Sequence, residues 1–135
     1  RRKVGNVKYI EAVTPKSWEK YAVHIIEPAL KVINCETPVE FHSRNDFKSI
    51  SSSVLADFEG GVSIRFTALG YEIVSPISLR VFGDQGWADL VFSDTFTAFR
   101  TAIGKFVEGI ETSSVQSSYA FNKRVVSIIE KGLTQ

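Results

Sequence analysis

Residues 54–92 meet a demanding condition: three successive hairpins can be closed while the apolar side chains stay on one face. A slip of one residue between paired strands turns every side chain to the opposite face, so an apolar set preserved across a turn specifies register. With Glu59-Gly60-Gly61 as a three-residue loop holding a left-handed Gly, Phe58 opposes Val62, Ala56 opposes Ile64 and Val54 opposes Phe66. A two-residue Gly60-Gly61 loop sets Asp57 against Ile64 and fails. Closing a second hairpin through Leu69-Gly70 pairs Phe66 with Ile73 and Val62 with Ile77. That closure has costs: Leu69 suits a primed turn badly, Ser75 interrupts the face, and Pro76 removes a ladder donor. A third turn at Gly83 to Gly86 sets Val81 against Ala88, Leu79 against Leu90 and Ile77 against Phe92. Its reverse face pairs Phe82 with Trp87 and Arg80 with Asp89, contacts worth roughly 0.2–1 kcal/mol each.

The flanks read as helices. Thr14 is an N-cap candidate with Pro15 at the first helical position, and Trp18, Tyr21, Ala22, Ile25, Ala29 and Val32 follow at helical spacing. Pro28 predicts a kink or break near Glu27. Ahead of this helix, Val7 to Val13 alternates as an N-terminal strand. Val39-Glu40-Phe41 suggests another strand, whereas Phe47, Ile50 and Val54 fit one face of a short helix. Past the sheet, Asp94 caps a helix with Phe96, Phe99, Ile103, Phe106 and Ile110 on one side. A final helix places Phe121, Val125, Ile128 and Ile129 together and stops near Lys131-Gly132. The predicted class is α+β: a four-strand antiparallel meander over 54–92, preceded by one helix and followed by two, with an extra N-terminal strand. It forms one domain over residues 1–135, and the absence of Met, even at position 1, suggests excision from a longer protein.

Chemistry is harder to find. With 135 residues, 44% of them hydrophobic, the chain can bury a core without staples. It has no run of about 18 apolar residues, so no membrane helix is predicted. One cysteine, Cys35, allows no internal disulfide and suits a reducing, intracellular compartment. A net charge of +1 argues neither for nor against a polyanionic partner. Cys35, His24 and His42 show no metal-ligand spacing, so neither metal nor cofactor is predicted. His24 falls on the polar stripe of the first helix and reads as a solvated side chain. His42, in Phe41-His42-Ser43-Arg44-Asn45-Asp46, is either a general base beside Arg44 or, on the favoured reading, part of a turn. Cys35 reads as an inert buried thiol. No G-x-G-x-x-G, G-x-x-x-x-G-K or G-x-S-x-G pattern occurs, and nothing in the sequence asks for an enzyme.

The remaining feature is the outer face of the meander. The derived register puts Arg65, Val74, Arg80, Phe82 and Trp87 there, with Leu55, Pro76 and Val91, less polar than a solvent face normally is. Either the N-terminal strand, the 36–53 segment or the last helix covers it, or it is a contact surface. On the second reading the chain is a non-catalytic interaction module that binds a protein partner or itself. The alternative is a nucleic-acid-binding domain, with bases stacking on Phe82 and Trp87 and phosphates meeting Arg65 and Arg80.

Overall fold

The computed structural model describes residues 4–34, 37–44, 48, 50–92, 101 and 118–133. In chain order the elements are β1 (Val7–Thr14), α1 (Trp18–Tyr21), α2 (Val23–Val32), β2 (Pro38–Arg44), β3 (Ser52–Phe58), β4 (Ser63–Ala68), β5 (Ile77–Gly83), β6 (Trp87–Phe92) and α3 (Ser118–Leu133). The strands form one mixed six-stranded sheet in the order β2-β3-β4-β1-β5-β6. The expected Phe58–Val62 turn is present, with Phe58 N–H donating to Val62 O at 2.9 Å and Gly61 at φ +92°. The β3–β4 register has Val54 opposite Phe66 and Ala56 opposite Ile64. The β5–β6 register likewise has Leu79 opposite Leu90 and Phe82 opposite Trp87.

The α+β meander itself is overturned. Strands β4 and β5 are not neighbours, because β1 lies between them, parallel to β4 and antiparallel to β5. Phe66 opposes Ala12 rather than Ile73, and Leu79 opposes Ala12 from the other side. The physical reason is that Ile10 and Ala12 carry the same alternation as the neighbouring strands and are fully buried on the same face. The chain between β4 and β5 is left as an irregular connection in which Tyr71, Ile73 and Val74 are exposed.

The three described helices lie on one side of the sheet. There α2 buries Ile25, Ile26, Ala29 and Leu30 and packs on β1 and β5, while α3 packs on β3 and β2. The first helix begins later than the sequence suggests, since Thr14 ends β1 and Ser17 is the N-cap of α1. The break falls at Ala22, between α1 and α2, and Pro28 is accommodated inside α2. Trp18 is fully buried, and its Nε1–H donates to Ile129 O at 2.9 Å. Gly132 belongs to the last turn of α3 and accepts a bond from buried Ser52 Oγ at 2.8 Å. It is therefore a packing notch against Trp18 and not a stop signal. In place of a helical turn reaching Val54, the structure has β3. The helix expected after Asp94 lies outside the described residues, apart from Thr101.

Candidate functional site

Among the described residues, strands β1 and β4 make the only parallel pair in the sheet, and their carboxyl ends coincide where Thr14 faces Ala68. In open sheets with parallel strands, ligands bind beyond the carboxyl ends, at a switch in strand order. Beyond this end the chain is tied down by reciprocal bonds: Lys16 N–H donates to Gly70 O, and Gly70 N–H to Lys16 O, both at 2.9 Å. The bridge holds Lys16 at φ +71°, a left-handed conformation that costs a non-glycine residue energy and that clusters at functional sites. The Lys16 Nζ sits 5.2 Å from the centroid of the Tyr21 ring, within cation–π range. Tyr21 in turn meets the His24 ring edge-on, at 5.5 Å and 77°. Between them in sequence, the buried Ser17 hydroxyl has no hydrogen-bond partner among the described residues, and such an orphan calls for an explanation. His24 is thus half-buried in an aromatic contact, not solvated as the helical stripe implied. The strand itself was expected, but not its place: once Val7–Thr14 is a central strand, the segment after it becomes a strand-to-helix junction.

The other region with organised polar groups is the sheet face opposite the helices. Neither β1, the described part of the 36–53 segment nor α3 covers it: β1 is central, β2 is an edge strand, and α3 packs on the inner side. Residues paired across the strands line up in rows. One row runs Arg65, Glu11, Arg80, Asp89 over β4, β1, β5 and β6. Arg80 binds Asp89 in bidentate fashion, with Nε donating to Oδ1 at 2.5 Å and Nη2 to Oδ2 at 3.0 Å. That bond, and then the charges of Asp89 and Glu11, raise the guanidinium pKa further. Tyr9 Oη donates to Glu11 Oε1 at 2.5 Å. Burial first, then Glu11, raises the Tyr9 phenol above its usual value, against a lowering by Arg65. The adjacent row places Tyr9, Phe82 and Trp87 side by side, with the Tyr9 and Phe82 rings 6.0 Å apart. Phe82 is 37% exposed, Trp87 62% and Val91 58%. Of the residues the sequence assigned to this face, Arg65, Arg80, Phe82 and Trp87 are brought together on it. Val74 is not, because it sits in the β4–β5 connection.

His42 is on β2, not in a turn, with Nε2 3.4 Å from Glu40 and 3.9 Å from Asp57. The three side chains cluster at the sheet edge, open to solvent, and none of them holds an unpaired buried polar atom.

No protein-family model matches the chain, and no curated protein matches it by sequence. Solved structures do match its fold. GenD2 from gentamicin A biosynthesis, in complex with NAD, is 12% identical with a TM-score of 0.63, over 97% of this chain and 53% of that one. UDP-N-acetylglucosamine 3-dehydrogenase GnnA from Acidithiobacillus ferrooxidans gives 10% identity and a TM-score of 0.56, over 96% and 54%. Myo-inositol 2-dehydrogenase from Lactobacillus plantarum gives 12% and 0.56, over the same 96% and 54%. The chain thus spans about half the length of the structures it resembles. Its fold is that of a mixed open sheet found in dehydrogenases, not that of an antiparallel meander. The expectation of a non-catalytic, non-enzymatic interaction module rested on the absence of Met, the lack of chemical motifs and the semi-apolar outer face; it is overturned, together with the nucleic-acid-binding alternative, because the solved structures that share this fold are dehydrogenases. No helix among the described residues is long and apolar enough to cross a membrane.

Proposed function

We infer that the chain is one half of an NAD(P)-dependent oxidoreductase acting on a secondary alcohol of a sugar or cyclitol. The observation that carries this reading is the strained Lys16, with Tyr21 and His24 beside it, beyond the carboxyl ends of the parallel pair. The fold neighbours support the substrate class, since they include dehydrogenases of UDP-N-acetylglucosamine and myo-inositol. Oxidising a secondary alcohol requires a group that takes the hydroxyl proton, and a histidine poised near neutral pH does this well. His24 is the candidate for that task. Lys16 is the candidate donor to the substrate's hydroxyl oxygens.

The dinucleotide itself does not fit the residues of this chain. A pyrophosphate cradle needs G-x-G-x-x-G at a strand-to-helix turn in a parallel βαβ unit, and the sequence contains no such run. The chain therefore contributes substrate binding and proton transfer, and the cofactor is gripped elsewhere in the protein. An intracellular setting, where nicotinamide cofactors and reduced thiols coexist, fits the single cysteine.

The test is a spectrophotometric assay at 340 nm of the full natural gene product with NAD+ or NADP+ against a panel of nucleotide sugars, free sugars and inositols. Turnover of at least one such alcohol is expected, falling by about 10²–10⁴-fold in His24→Ala and unchanged in His42→Ala. Activity that survives His24→Ala removes His24 from the reaction, and no turnover across the panel removes the reading.

A further inference from the structure

We propose that Glu40, His42 and Asp57 form a binding site for a divalent transition-metal ion, Zn2+ above all, at the β2 edge of the sheet. The ligand atoms of these three side chains lie within 4.8 Å of one another. His42 Nε2 is 3.4 Å from Glu40 Oε2 and 3.9 Å from Asp57 Oδ2. Both separations exceed the roughly 2.7–3.2 Å of a nitrogen-to-oxygen hydrogen bond, so the atoms converge without bonding to each other. They come instead close to the edges of a coordination shell. Bonds of about 2.0–2.1 Å in a tetrahedron put neighbouring ligand atoms about 3.3 Å apart. The Glu40–His42 edge already has that length. The Asp57–His42 edge reaches it by a movement of about 0.6 Å, small for side chains this exposed.

A bulge assembles the three ligands. Strand β2 sets Pro38 opposite Phe58 and then Glu40 opposite Asp57, so Val39 is the extra residue. Side-chain parity changes at that point. Phe41 turns inward against the core, and Glu40 and His42 turn to the other face with Asp57. Bulges re-aim side chains in this way at sheet edges and beside functional sites. The result here is two carboxylates directly opposite each other, which destabilises a strand pair unless a cation lies between them. Asp57 is also oriented from behind. Ser63 Oγ donates to its Oδ1 at 2.6 Å, which leaves Oδ2 for the ion. Ligating carboxylates are characteristically held by such a bond. The donor set selects the ion: one imidazole nitrogen with two carboxylate oxygens suits Zn2+ and its transition-metal neighbours, whereas Mg2+ and Ca2+ take oxygen ligands. Water completes the shell from the open side. Two ligands come from β2 and the third from β3, so the ion fastens an edge strand to its neighbour. The distance in sequence between His42 and Asp57 is why no ligand spacing marks the site.

The experiment is isothermal titration of ZnCl2 into the full protein, prepared without a histidine tag, for wild type, His42→Ala, Ser63→Ala and Cys35→Ser. Wild type is expected to bind one more equivalent of Zn2+ per chain than His42→Ala does. Ser63→Ala is expected to keep that equivalent with roughly tenfold lower affinity, because the carboxylate loses its orienting bond. Cys35→Ser is expected to bind as wild type does, and excess Mg2+ is expected to leave the equivalent in place. Zn2+ is also expected to slow amide hydrogen exchange over residues 38–44 in wild type and not in His42→Ala. Circular dichroism checks that each variant is folded. Equal binding by wild type and His42→Ala, loss of the equivalent in Cys35→Ser, displacement by Mg2+, or unchanged exchange over 38–44 each overturns the proposal. The site uses none of Lys16, Tyr21 and His24, and the readouts are heat and exchange without a nicotinamide cofactor. Its failure and that of the oxidoreductase reading are therefore separate results.

Discussion

Gly132 is the position at which the smallest chemical change should have the largest effect. A methyl group there comes within 2.0 Å of Trp18 Cε2 and 2.3 Å of both Cζ2 and Nε1. Carbon atoms prefer about 3.5–4.0 Å, so the indole or the end of α3 must move by about 1.5 Å. The indole cannot swing away, because Trp18 is fully buried and its Nε1–H is held by Ile129 O. Moving α3 instead pulls Gly132 O from Ser52 Oγ. Overpacking of this kind costs about 1–3 kcal/mol, and straining one buried hydrogen bond adds about 1 kcal/mol. Ala is the better helix former by up to about 1 kcal/mol, an advantage reduced in a last turn. The net expectation for Gly132→Ala is destabilisation of about 2–3 kcal/mol, or about 10 °C in Tm for a chain of this size. Urea unfolding followed by tryptophan fluorescence and by circular dichroism measures it. In a Trp18→Phe background the same substitution should cost at least about 1 kcal/mol less, since the atoms it strikes are gone. Gly132→Ala that is as stable as wild type, or equal costs in the two backgrounds, would refute the notch.

Three further outcomes follow from other contacts. The Tyr9 phenol is expected to ionise above its usual value, so its contribution to stability is fully present below about pH 10 and is lost as pH rises through the higher folded value. A titration at 295 nm should show one late-ionising tyrosine that disappears in Tyr9→Phe. Gly83→Ala puts a methyl 2.2 Å from Val4 O, a backbone atom, and should cost about 1–3 kcal/mol in thermal unfolding. Ser52→Ala removes the bond to Gly132 O and should cost about 1 kcal/mol, well below Gly132→Ala in the same assay.

What could be read from the sequence was whatever a short turn determines. The β3–β4 and β5–β6 registers depend on neighbouring residues, and both appear with the predicted partners. Pairing across 69–76 was a different problem. A face test accepts any strand with matching alternation, and it cannot tell Ile73 from Ala12 as the neighbour of Phe66. Three misfits already marked the wrong choice: Leu69 in the turn, Ser75 on the apolar face and Pro76 in the ladder. Each is at ease in the observed connection, where Ser75 Oγ donates to Pro76 O and no ladder is required. Gly83 shows the same limit. Hairpin geometry gives it a local reason, yet its lack of a side chain is also needed where Val4 passes.

Inserting β1 is the single topological fact behind both regions of interest. It supplies the one parallel pair among the described strands, and so the place where two carboxyl ends meet at a strand-to-helix junction. Without it, Lys16 would have no Gly70 to hold it at positive φ, and His24 would sit on an ordinary amphipathic helix, as the sequence pattern implied. On the opposite face β1 places Glu11 between Arg65 and Arg80. Were β4 and β5 adjacent, no acid would separate two arginine-bearing strands, and the row would lose its alternation. The same strand thus turns a patch of scattered charges into a ladder with a direction, and a helix start into a strained junction. Neither property belongs to any one of these residues; both come from the long-range pairing, which local patterns in the chain do not specify.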